Sequence, residues 1–118
     1  MGRRDGQTAL EQELEASRIR LLAGEGPPAL LRALQSHFPD LSQNLYIISW
    51  VPEQCEDIYD VLVDATMVVH VEAPRPGISQ RLLVEEMPLE RYEEKHPLRR
   101  AGRRRLDTAV RLALQRQP

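Results

Sequence analysis

Between Asn44 and Met87 the chain passes through β-forming segments joined by links too short for a parallel crossover. Parallel neighbours need a connection of about a dozen residues or more, so these segments must pair antiparallel. Residues 44–51, Asn-Leu-Tyr-Ile-Ile-Ser-Trp-Val, form the first, bounded by turn residues. Ile58–Asp64 alternates, with Tyr59, Val61 and Val63 on one side and Asp60 and Asp64 on the other. Met67–Glu72 places Met67, Val69 and Val71 on one face and His70 on the other. The link Asp64-Ala65-Thr66 makes these two a hairpin, without the glycine that a primed turn prefers. After the break at Pro74-Arg-Pro-Gly77, residues 80–87 supply a fourth strand through Leu82, Leu83 and Val84.

Helical patterns flank this block. Residues 1–7 read as a flexible start, and Thr8-Ala9-Leu10-Glu11 has the form of a capping box opening the first helix. Leu10, Leu14, Ile19, Leu21 and Leu22 mark its apolar stripe, which ends at Gly24 and Gly26. Pro27-Pro28 suits a first helical turn, and Leu30, Leu34 and Phe38 give a second, short helix stopped by Pro39. Pro88–Lys95 begins a third, interrupted by Pro97. A last helix has Leu98, Gly102, Leu106, Ala109, Val110 and Ala113 on one face and arginines over most of the rest. The order predicts one α+β domain over 8–118: helical at 8–39, antiparallel sheet at 44–87, helical at 88–118. As a two-layer sandwich, its helices pack on one face of the sheet and leave the other partly exposed.

Composition narrows the classes. At 118 residues, 42% hydrophobic, the chain suits one small core. That core is aliphatic, since Phe38, Tyr46, Trp50, Tyr59 and Tyr92 are the five aromatics. No apolar run reaches the roughly 18 residues of a membrane span. The start, Met-Gly-Arg-Arg-Asp-Gly, lacks the apolar stretch of a secretory signal. Cys55 is the single cysteine, which fits a reducing compartment and a cytoplasmic protein. Fifteen Arg against one Lys is a bias that a GC-rich bacterial genome imposes without selection on function.

The net charge of −2 conceals an uneven distribution. Residues 40–94 carry three Arg against twelve acids, a net −9; residues 95–118 carry eight basic residues against Asp107, a net +7. The acidic segment concentrates on the first strand connection. Glu53, Gln54, Glu56 and Asp57 lie there, with Trp50, Tyr59 and Asp60 beside them. Carboxylates give steering and register, and aromatics give rigid contact area, so these seven residues read as a surface for another protein.

The competing chemistries lack their patterns. The carboxylates have neither the spacing nor the glycine of a calcium loop, and a hydrolase built on Glu53 and Asp57 needs a separation that loop spacing does not set. Cys55 has acidic neighbours, which oppose a reactive thiolate. His37, His70 and His96 stand singly, without metal-ligand spacing. No cofactor motif and no metal site is expected. The alternative of a different class is nucleic-acid binding by Arg99, Arg100, Arg103, Arg104 and Arg105, whose charges match phosphates.

In size and element order the chain is similar in outline to small bacterial immunity proteins and secretion chaperones, which are compact α+β binders. That outline implies a non-enzymatic adaptor, immunity or chaperone type of function. The partner is then another protein, with a sheet edge available to a second copy.

Overall fold

A computed structural model describes the backbone of residues 2–117 and the side chains of residues 7–117. The elements are α1 (Gly2–Leu22), α2 (Pro28–His37), β1 (Leu45–Pro52), β2 (Glu56–Val63), β3 (Met67–Pro74), β4 (Leu83–Pro88), α3 (Leu89–Lys95) and α4 (Arg100–Arg116). The strands form one antiparallel meander in the order β1-β2-β3-β4. The α+β class and the four-stranded sheet are those the sequence predicts.

Helix α1 starts at Gly2, ahead of the expected cap at Thr8, and its backbone takes in the segment read as a flexible start. Thr8 is therefore an interior helical residue. Tertiary contact supports the early turns, as Gln7 Nε2 donates to Thr108 Oγ1 of α4 at 3.2 Å. The far end closes as predicted. Gly24 takes φ 78°, its N–H bonds to Leu21 O at 3.1 Å, and the Glu25 N–H bonds to Arg20 O at 2.9 Å. This Schellman arrangement satisfies two terminal carbonyls and favours glycine at the left-handed position.

The β2–β3 turn does without glycine. Asp64 (φ 54°) and Ala65 (φ 62°) both adopt left-handed conformations. Three contacts hold Asp64: Ser42 Oγ donates to its carboxylate at 2.6 Å, its N–H donates to Asn44 O, and Gln117 Nε2 donates to its carbonyl. Ala65 is buried in the core, which offsets part of its backbone cost.

The helices do not share one face of the sheet. Leu45, Tyr59, Val61, Val63, Val69 and Val71 pack with Leu30, Ala33 and Leu34 of α2 and with Leu21 of α1. Tyr46, Ile48, Leu62 and Val68 pack with Leu14 of α1, Tyr92 of α3, and Leu106, Ala109, Leu112 and Ala113 of α4. The sheet thus lies between α2 on one side and α3 with α4 on the other, while α1 runs along the β1 edge and reaches both clusters. The alternation of Asp60 and Asp64 with apolar residues suggested a wet second face. Leu62 and Val68 lie on that face too, and Asp60 is buried there by hydrogen bonding.

Two cores on opposite faces predict independent losses. Leu34→Ala and Leu106→Ala should each cost about 2–5 kcal/mol by the transfer and cavity terms. Their sum should match the double variant to within about 0.5 kcal/mol in urea denaturation. A coupling above about 1 kcal/mol would contradict two separate clusters.

Candidate functional site

Pairing across the meander sets its side chains in rows, and a bulge in β1 decides which row takes Trp50. Ile47 pairs with Val61 and Ser49 with Asp60, so Ile48 is the extra residue. Without it, Trp50 would share the α4 side with Tyr46. With it, Trp50 pairs with Tyr59 on the α2 side, and the rings stack with centroids 6.4 Å apart and planes 9° apart. Trp50 Nε1 donates to Asp57 Oδ1 at 3.3 Å, and Arg75 Nη2 donates to the same oxygen at 3.1 Å. Trp50 nevertheless remains 60% exposed.

This indole borders a groove of about 560 Å³ between α1, the α1–α2 turn and β1. Ser17, Arg20, Glu25 and Pro27 line its helical side, and Ile47, Ile48 and Ser49 line its strand side. Arg105 closes one end. Its Nε and Nη2 donate to Ile47 O at 3.2 and 3.0 Å, and its Nη1 donates to Glu13 at 2.8 Å. The outer edge of β1 is therefore partly capped by an arginine. The other edge strand, β4, carries Glu85 and Glu86, whose like charges oppose pairing with a second copy.

Six of the seven expected contact residues lie on or beside the β1–β2 hairpin end. Trp50, Asp57 and Tyr59 form the stacked, hydrogen-bonded group; Glu53 and Gln54 are exposed on the loop; Glu56 is half-buried at the start of β2. Cys55 is half-buried between them, and its carbonyl accepts from the Arg75 N–H. Asp60 does not share that surface. It is 8% exposed and points to the α3 side of the sheet.

There Asp60 belongs to a network that sequence spacing did not reveal. His70 Nδ1 meets Asp60 Oδ1 at 2.7 Å, His70 Nε2 meets Glu72 Oε2 at 2.7 Å, and Tyr92 OH donates to Asp60 Oδ2 at 2.9 Å. An imidazole between two carboxylates is held as imidazolium, with both N–H groups donating. Burial lowers the His70 pKa, but the bonds to Glu72 and Asp60 outweigh it and raise the value above 6.5. Burial, then the Asp60 charge and hydrogen bond, raise the Tyr92 hydroxyl well above its ordinary value. With both ring nitrogens occupied, His70 has none free to act as a base. Among the described residues, no group of three or more His, Cys, Asp or Glu side chains is placed to hold a metal ion.

The arginine cluster is divided. Arg103 pairs with Glu93 at 2.7 Å, as the charge of the preceding acidic segment suggests, and Arg105 is committed to Glu13 and Ile47. Arg99, Arg100 and Arg104 are exposed and carry no ion pair among the described residues. Other tail arginines meet α1: Arg111 bonds Glu11 at 2.8 Å, and Arg116 bonds Glu15 at 2.5 Å. Tyr46 OH donates to Glu15 as well and accepts from Arg116 Nε. Three tail arginines, Arg105, Arg111 and Arg116, are thus paired with acids of the first helix.

No family model matches the chain, and no curated protein or solved structure does either.

The His70 network predicts a pH dependence of known sign. The folded-state pKa is raised, so the contribution is full below the unfolded value near 6.5 and fades as pH rises through the folded value. The stability gap between wild type and His70→Gln should therefore narrow as pH rises above about 6.5. A gap that widened as pH rose above about 6.5 would contradict the imidazolium, as would an NMR titration placing His70 below 6.5.

Proposed function

We propose that this protein is a non-enzymatic binding protein of the cytoplasm, of adaptor, immunity or chaperone type, that engages another protein through the end of its β1–β2 hairpin. The supporting observation is the fixed, exposed Trp50. Stacking on Tyr59 and bonding to Asp57 restrain the indole before any partner arrives. A large aromatic with little rotamer freedom left to lose is the kind of residue that dominates binding energy at interfaces. Beside it, the groove offers apolar surface from Ile47, Ile48 and Pro27, and the loop offers the carboxylate of Glu53.

These features favour a partner segment with an apolar anchor flanked by a basic residue. The anchor enters beside Trp50, and a basic residue meets Glu53. Asp57 acts by holding Trp50 and Arg75, so it positions the surface. The lone Cys55 supports the reducing compartment.

Co-purification from the native host, with wild type and variants as bait, tests this reading. Trp50→Ala and Glu53→Lys should each weaken capture of the same polypeptide at least about tenfold, a loss of about 1.4 kcal/mol. Melting temperatures should stay near wild type, because these side chains lie at the surface. A partner retained equally by both variants would overturn the reading.

A further inference from the structure

The α3–α4 side of the sheet is only partly covered. Its innermost cross-strand row, Tyr46–Leu62–Val68–Met87, lies in the core under α3 and α4. The next, Ser49–Asp60–His70–Glu85, is polar, and Tyr92 reaches it from above. The row beyond is Val51–Ile58–Glu72–Leu83, one residue from each strand. No helix covers it: Val51 is 45% and Leu83 37% exposed, and Ile58 and Glu72 are half-buried. Glu56 flanks this row on the side away from the polar row, and Glu85 flanks it on the side of the polar row.

We propose that this open face docks one basic amphipathic helix of a partner protein. Three apolar side chains, on β1, β2 and β4, form a shallow apolar floor, and a sheet face is ordinarily closed by a helix, as α2 closes the other side here. The floor spans three strand spacings, about 14 Å, which roughly ten helical residues cover. Glu56 and Glu85 border it, while Glu72 within it is committed to His70, so a helix whose apolar stripe is flanked by Lys or Arg matches both shape and charge. The same carboxylates oppose a nucleic-acid backbone. A second copy is a poor occupant, because α2 and α4 already turn their apolar faces into their own core. This surface lies across the sheet from Trp50 and does not depend on that residue.

The test uses the full chain and a synthetic amphipathic Leu/Lys peptide of about 14 residues, long enough to overlap the row. Amide shifts followed by NMR should saturate and centre on Val51, Ile58, Glu72 and Leu83. Affinity should fall at least about tenfold in Leu83→Asp and in Glu56→Lys/Glu85→Lys, and stay unchanged in Trp50→Ala. A Leu/Glu peptide of the same pattern should not bind. Shifts centred elsewhere, equal affinity in all variants, equal binding of the Leu/Glu peptide, or no saturable binding would overturn the proposal. So would wild-type dimerisation in sedimentation that Leu83→Asp abolishes, since that assigns the face to a second copy.

Discussion

The pairing register of β2 with β3 is the constraint on which the other features rest. It runs without a break from Val63↔Met67 to Glu56↔Pro74. A slip of one residue would exchange the faces of a strand. Val61 and Val63 would then meet α4 in place of α2, and Asp60 would lose both His70 and Tyr92. The tight turn at Asp64–Ala65 fixes this register, and its left-handed residues are held by Ser42, Asn44 and Gln117. A polar loop before β1 and the last turn of the chain therefore act on the same hairpin.

The β1 bulge changes the outcome locally. One unpaired residue, Ile48, turns Trp50 to the α2 side and leaves Val51 on the opposite one. The two sides of the hairpin thus acquire different chemistry: an exposed indole stacked on Tyr59 beside a groove, and an apolar row bordered by carboxylates. Arg105 belongs to the same region, because its guanidinium holds the carbonyl of Ile47 next to the bulge. Helices α1 and α4 run parallel there. The contacts Gln7–Thr108, Glu11–Arg111 and Glu15–Arg116 advance in the same direction along both. Charges far apart in sequence are neutralised along this seam.

Much of this was legible in the residues. The short links between β-forming segments dictate an antiparallel sheet, and Pro27-Pro28, Gly24 and Pro97 punctuate the helices where the structure places their ends. Trp50, Tyr59 and Asp57 were identifiable as neighbours because a hairpin brings sequence-near residues together. The early start of α1 was not legible, since its first turns gain support from Thr108 at the other end of the chain. Asp60 read as a solvent-facing acid for a related reason. Alternation reports polarity, and a buried carboxylate with two hydrogen-bonding partners has the same signature as an exposed one.

The uneven charge, the aliphatic core composition and the order of elements were determined by the sequence alone, because each follows from local spacing and from counting. Tertiary structure decided what those charges and faces meet. Whether an arginine of α4 is free or paired depends on α1 lying beside it, and the direction of Trp50 depends on one bulged residue. Whether a sheet face is wet depends on how far a covering helix reaches. Such outcomes rest on residues up to 101 positions apart, as in the Gln7–Thr108 pair, and no local pattern in the chain encodes which distant side chain will arrive.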